Sequence, residues 1–247
     1  MARPARGLAL AAALLAAQSA AVKLDFYGQA GCSHCFAFMT GALKKLLADP
    51  ELASKIDFEY YPWGNAYYVT SKCQGAGEYD IMPRKCYDAN CGADATARLD
   101  DCFGPGELIC QNGPAECDAN RYMACAKRAA GMDHTKYLPY CECVDKAFEG
   151  NPHGNGLDVG DLASTCAASA SLDFAAIHSC YNGADGDAAV KAEAMATPPH
   201  GFCPVVVVDG EMLQWGTEGN VLSVVCEKMP VPKPAACTAA AASPTWT

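Results

Sequence analysis

Sixteen cysteines in a chain of 247 residues constrain this protein more than any other feature. Reducing compartments keep thiols apart, and so many cysteines are rarely found there. The count therefore points to an oxidising compartment, a metal-rich protein, or both. Apolar residues make up 51% of the chain and charged residues 19%, enough to bury a large core and too apolar for disorder. The net charge of −10 repels phosphate backbones, so no nucleic-acid partner is expected.

The first residues address the compartment. Arg3 and Arg6 are followed by an unbroken Ala/Leu run from Gly7 to Ala17, then by small residues at Ser19, Ala20 and Ala21. Basic start, apolar stretch and small-residue zone are the parts of a secretory signal peptide, expected over residues 1–21. The apolar run is too short for a permanent membrane helix, and no membrane attachment is expected after cleavage. No Asn begins an Asn-x-Ser/Thr acceptor, and the C-terminus carries no endoplasmic-reticulum retention tetrapeptide.

Val22 to Tyr27 alternates apolar and polar residues, as a strand does. A loop from Gly28 to Gly31 leads into Cys32-Ser-His-Cys35. Phe36, Met39, Leu43 and Leu46 then recur at helical spacing, and Asp49-Pro50 is expected to end that helix. Ile56, Phe58 and Tyr60 alternate in a second strand. The complementary half lies about 140 residues on: Pro204, the run Val205–Val208, an Asp209-Gly210 hairpin turn, and a closing helix marked by Val221, Leu222 and Val225. A strand–helix–strand half and a hairpin–helix half make a thioredoxin-like α/β fold. Pro204 stands where such folds place a cis-proline beside the active cysteines.

Between the halves, residues 64–203 read as a large, disulfide-rich, mostly helical insertion. Helical patterns fall near 115–130, 134–148, 158–169, 172–182 and 184–196. The expected organisation is thus a signal peptide over 1–21, a thioredoxin-like core over 22–63 and 204–229, the insertion, and a flexible tail over 230–247.

Cys-x-x-Cys between a strand and a helix reads as a redox pair. Cys32, at the helix start, meets unpaired N–H groups that favour its thiolate, the nucleophile of disulfide exchange. Cys35, one turn in, resolves the mixed disulfide. His34 is cationic at acid pH and favours the thiolate further. No second Cys-x-x-Cys completes a zinc ribbon, and no metal or cofactor is expected. The other fourteen cysteines permit seven structural bridges, with connectivity unreadable from spacing. Cys203 is singled out because it precedes Pro204, where it is either an ordinary bridge or a thiol beside the active pair. His134, His153, His178 and His200 show no metal spacing.

The run Cys110-Gln-Asn-Gly-Pro-Ala-Glu-Cys117-Asp-Ala-Asn120-Arg-Tyr-Met-Ala-Cys125 resembles the signature of the gamma-interferon-inducible lysosomal thiol reductase family, Cys-Gln-His-Gly-x2-Glu-Cys-x2-Asn-x4-Cys. Only Asn112 departs, standing where the family has His. The Pro62–Ala66 segment also matches, and Cys203-Pro204 stands where the family has Val-Pro; order and spacing agree over about residues 22–229, apart from an extra Cys-rich stretch near 70–108. The resemblance implies an enzyme that reduces disulfides of partly unfolded proteins at acidic pH, in lysosomes, endosomes or outside the cell. Cys32 and Cys35 would carry the activity, with His34 and Pro204 beside them and a small external thiol as electron donor. Two alternatives remain: a secretory-pathway disulfide oxidase or isomerase, to which His34 between the cysteines lends a likeness, and a non-catalytic disulfide-rich binding protein.

Overall fold

The computed structural model describes residues 21–92, 95 and 97–241. The expected signal peptide, apart from residue 21, lies outside the described residues, as do residues 242–247 of the expected tail. The protein is mixed α/β. Its main sheet has four strands: β1 (Val22–Gly28), β2 (Ile56–Pro62), β5 (Val205–Val208) and β6 (Glu211–Met212), in the order β2-β1-β5-β6. β1 runs parallel to β2, from Val22↔Ile56 to Gly28↔Pro62, and antiparallel to β5, from Leu24↔Val208 to Tyr27↔Val205. Asp209 and Gly210 both adopt positive φ, +48° and +81°, in the two-residue hairpin turn to β6. A second sheet pairs β3 (Tyr67–Tyr68) with β4 (Leu108–Ile109).

Strand alternation divides the main sheet into two faces. Leu24, Phe26, Ile56, Phe58, Tyr60, Val206 and Val208 join the principal core, whereas Tyr27, Tyr61, Val205 and Val207 form a separate cluster. Phe26 stacks on Tyr60 at 4.7 Å between ring centroids and meets Phe38 edge-on at 5.0 Å.

The helix after Cys32 is not the single regular element its apolar spacing predicts. It runs as α1 (Ser33–Phe38), a π-helical turn (Met39–Leu43) and α2 (Lys44–Ala48). Nor does Asp49-Pro50 end helical structure. The Asp49 side chain accepts the backbone N–H groups of Glu51 and Leu52 at 2.9 and 3.1 Å, capping a further turn, α3 (Pro50–Ala53), with Pro50 at its first position.

The intervening residues supply α4 (Ile81–Cys91), α5 (Pro114–Ala129), α6 (His134–Ala147), α7 (Val159–Ser169), α8 (Phe174–Asn182) and α9 (Ala184–Ala196). The last five lie close to their expected spans because punctuation coincides with chemistry. Asp133, Asp158 and Asp173 cap α6, α7 and α8 through bonds of 2.9–3.0 Å to Thr135, Asp161 and Ala175. These helices do not form a core of their own. Ala119, Met123, Tyr137, Tyr140 and Ile177 share one buried cluster with the sheet residues. The Cys-rich stretch builds a smaller cluster around Trp63, Tyr67 and Tyr87.

Six disulfides pair Cys73–Cys86, Cys91–Cys102, Cys110–Cys117, Cys125–Cys180, Cys143–Cys166 and Cys226–Cys237. Seven were permitted by parity, but Cys32, Cys35, Cys141 and Cys203 stay free. Cys141 sits fully buried on α6, while Cys143, two residues on, bonds α7. The stretch expected as a flexible tail is partly tied down. After α10 (Val221–Lys228), α11 (Ala235–Ala241) is bonded back through Cys226–Cys237.

Bridges that close longer loops constrain the unfolded chain more. Cys125–Cys180 spans 55 residues and Cys110–Cys117 spans 7. Urea unfolding of the paired Cys→Ala variants is expected to show a loss of about 4 kcal/mol for the first and about 2.5 kcal/mol for the second. The reverse order would show that native-state packing, not chain entropy, sets their contributions.

Candidate functional site

The sheet register assembles the site. β1 ends at Gly28 and hands the chain to the loop before Cys32. Tyr27 pairs with Val205, so the residues just before β5 lie beside that loop. The Cys203–Pro204 peptide is cis, the geometry expected from Pro204's position. Cys203 Sγ lies 3.1 Å from Cys35 Sγ, and Cys35 Sγ lies 2.6 Å from Cys32 Sγ. Cys203 is thus a free thiol beside the pair and not a structural bridge.

Cys32 is the N-cap of α1, with extended backbone at φ −84° and ψ 106°. Its sulfur accepts the Cys35 backbone N–H at 3.2 Å, doing with Sγ what Ser or Asp does at most helix starts. Its pKa is held down at about 3. Hydrogen bonding from the Cys203 thiol is the largest cause, followed by the Cys35 thiol; the Cys35 N–H and the charge of His34 add to them, and burial opposes. Burial pushes Cys35 well above the usual thiol range, and the hydrogen bond with Cys32 raises Cys203 likewise. The three sulfurs therefore divide their roles: a half-buried Cys32 thiolate, a buried Cys35 thiol that donates to it, and a half-buried Cys203 thiol beside them.

His34 is exposed, its ring edge-on to Trp215 at 5.8 Å. Trp215 is itself 56% exposed, a large apolar side chain next to the redox pair. No spacing signal marked it, because it lies about 180 residues from Cys32 in the chain.

The loop from Gln29 to Gly31 is held by side chains of the Cys110–Cys125 signature. Asn120 Oδ1 accepts the Ala30 N–H at 2.9 Å, and Asn112 Nδ2 donates to the Ala30 carbonyl at 3.2 Å. Both backbone groups of a buried residue are thereby satisfied. Gln29 Nε2 and Asn65 Nδ2 both donate to Gln111 Oε1 at 2.8 Å, and the Asn65 N–H donates to Gln29 Oε1 at 2.6 Å. Glu116, fully buried, accepts the Asn112 N–H at 2.6 Å and Asn120 Nδ2 at 3.4 Å. Desolvation pushes Glu116 up to about 8, so it is protonated at neutral pH and below. Gly31 has φ +77°, and a side chain there would run into the Pro152 carbonyl and Asn112. His153 reaches the Asn112 carbonyl at 3.0 Å. Gln29, Gln111, Glu116 and Asn120 were not read from the sequence as site residues; for the last three, their fixed places in the signature were the available signal.

The remaining histidines serve packing. Tyr122 Oη lies 3.0 Å from His178, His200 lies 3.2 Å from Arg84, and His134 meets Phe58 edge-on. No described helix is long and apolar enough to cross a membrane.

Fold and site together define a disulfide-stapled α/β protein with a Cys-x-x-Cys pair at a helix start and a third thiol against it. Comparison with known proteins narrows this class. The family model "Gamma interferon inducible lysosomal thiol reductase (GILT)" matches residues 91–170, a stretch that contains the whole signature but not Cys32, Cys35 or Cys203. The "Gamma-interferon-responsive lysosomal thiol protein" of Arabidopsis thaliana is 25% identical over 204 residues, 81% of this chain and 66% of its own length. Both findings support the gamma-interferon-inducible lysosomal thiol reductase family, the one the signature resembles.

Two outcomes are expected of the network. The alkylation rate of Cys32 stays flat from pH 8 to pH 5 in the native protein, and its inflection moves up in Cys203→Val, which removes the foremost donor to the thiolate. An inflection near the usual ~8.5 in the native protein would contradict the geometry. Glu116 keeps its proton in the folded protein up to about pH 8 but loses it near 4.5 when unfolded. The native state then binds more protons between those values, so stability falls as pH rises through them. Glu116→Gln, which cannot ionise, is expected to flatten that slope in urea melts, whereas Glu116→Ala lowers stability at every pH.

Proposed function

We propose that this protein is a thiol–disulfide oxidoreductase built on a thioredoxin-like fold, reducing disulfides of partly unfolded proteins. The observation that carries the reading is Cys32: a thiolate at a helix start, accepting the Cys35 N–H at 3.2 Å, with the Cys35 sulfur 2.6 Å away. Its sulfur attacks a client disulfide and forms a mixed disulfide, the client's other sulfur leaving as a thiolate. Cys35 then attacks Cys32, releasing the reduced client and leaving a Cys32–Cys35 disulfide. This second step is fast because the two sulfurs are already in place. Two equivalents of a small external thiol, leaving as their own disulfide, return the pair to its reduced state. Pro204 follows Cys203 directly, and His34 with Trp215 offers an aromatic edge to an extended client. The family's name and that of the Arabidopsis relative favour the reductive direction and an endolysosomal setting.

A depressed Cys32 pKa suits acid conditions. At pH 5 an ordinary thiol near 8.5 is only ~0.03% thiolate, whereas a thiol near 3 is essentially all thiolate. The same stabilisation favours the second reading, a disulfide oxidase, because stabilising the reduced form makes a pair more oxidising. The reduction potential separates them. A value below about −200 mV supports the reductase, and one near −120 mV supports the oxidase.

The roles of the two cysteines are tested by trapping. With a denatured, disulfide-bonded substrate, Cys35→Ser is expected to accumulate a covalent adduct that dithiothreitol releases, visible on non-reducing gels. Cys32→Ser is expected to give neither turnover nor adduct. An adduct with Cys32→Ser alone would reverse the assignment, and adducts with neither would remove the pair from the reaction.

A further inference from the structure

Cys32, Cys35 and Cys203 are the one group of metal-ligating side chains among the described residues whose donor atoms all lie within 4.8 Å of one another. Two of the separations are 2.6 and 3.1 Å, and the sulfurs form a compact triangle, not a line. A line would suit passing a disulfide from Cys32 through Cys35 to Cys203, since the attacking and leaving sulfurs flank the central one. A triangle suits a central ion. Metal–sulfur bonds of about 2.3 Å place three sulfurs about 4 Å apart around a planar trigonal centre. The present triangle reaches that size with outward shifts of roughly 1 Å, on the scale of side-chain torsion.

From this cluster we propose that the reduced protein binds one Cu(I) ion between Cys32, Cys35 and Cys203. Soft thiolates select Cu(I), zinc or iron–sulfur clusters. No fourth His, Cys, Asp or Glu joins the triangle among the described residues. Closed zinc sites use four ligands, whereas Cu(I) is satisfied by three sulfurs. Binding needs no electron transfer: Cu(I) enters as Cu(I), and protons leave Cys35 and Cys203 for the solvent as their sulfurs become ligands. An occupied site also ties up Cys32, so Cu(I) blocks disulfide exchange reversibly.

The test uses the whole protein, mildly reduced so that its six structural bridges stay closed, and titrated anaerobically with Cu(I) buffered by bathocuproine disulfonate. The native protein is expected to withdraw one equivalent from the chelator, with three sulfur neighbours by X-ray absorption. Cys203→Ala is expected to lose affinity by more than the roughly 10–100-fold typical of an outer-shell partner. Cys203→Ser should lose it too, which guards against a packing defect in the Ala variant. Cys141→Ala removes the free thiol outside the triangle and should bind as the native protein does. Equal affinity in the native protein and both Cys203 variants would overturn the proposal, as would preferential retention of zinc or no withdrawal from the chelator. Insulin reduction by the metal-free protein is read separately. Turnover without copper binding refutes only this site, and binding without turnover refutes only the reductase.

Discussion

The antiparallel pairing of β1 with β5 is the contact on which the site depends. It joins a strand near the start of the described chain to one about 180 residues later, and its end register, Tyr27↔Val205, fixes what lies beyond each strand. On one side the chain turns through Gln29–Gly31 into Cys32. On the other it arrives through Cys203 and the cis peptide to Pro204. A slip of one residue would exchange the sheet faces. Val206 and Val208 would leave the core they share with Leu24 and Phe26, so burial of those residues specifies the register. The chemistry of three sulfurs thus rests on the packing of four or five apolar side chains.

The cysteines themselves divide by partner geometry. Twelve have another cysteine in bonding position and form bridges, and these staple the helices and the Cys-rich annex. Cys32 gains its thiolate from neighbours that donate to it, while burial keeps the proton on Cys35 and the hydrogen bond with Cys32 keeps it on Cys203. Each tendency supports the other: an inward thiol that ionised would stop donating and would repel the thiolate it now stabilises. The pair is therefore asymmetric by construction.

Much of this was legible in the residues. Two-residue alternation in Val22–Tyr27 and in Ile56, Phe58 and Tyr60 marks strands and Asp209-Gly210 marks the hairpin, whereas the Asp caps of α6, α7 and α8 were not read as helix starts. The π turn at Met39–Leu43 was not legible, since apolar residues at 36, 39, 43 and 46 fit a regular helix equally well. Cysteine parity could not distinguish seven bridges from six with two further thiols, so Cys141 was missed as a free thiol. The tail misled for a related reason: an Ala/Pro composition reads as loose, yet Cys237 anchors it to Cys226. Trp215 was hidden because only the folded chain brings it to the site, and the signature gave the places of Asn112 and Asn120 without their contact to Ala30.

The signature that resembles the family's reads, in three dimensions, as a scaffold for the loop before Cys32. Its polar side chains answer a specific need: Ala30 is buried, and its N–H and carbonyl have no strand or helix to bond. Amides can serve both groups without bringing charge near a thiolate. Asn120 accepts and Asn112 donates, which is the pair of functions required. Asn112 stands where the resembled family has His, and its carboxamide does not titrate, so in this chain the loop's support stays constant across the acid range. Glu116 fits the same logic. A carboxylate so near Cys32 would oppose the thiolate, but burial keeps its proton on, and the neutral acid binds the two asparagines without that penalty. What sets the ionisation of Cys32 is therefore left to the two sulfurs, the N–H beside it and the charge of His34, and the scaffold of asparagines and neutral Glu116 adds no charge of its own.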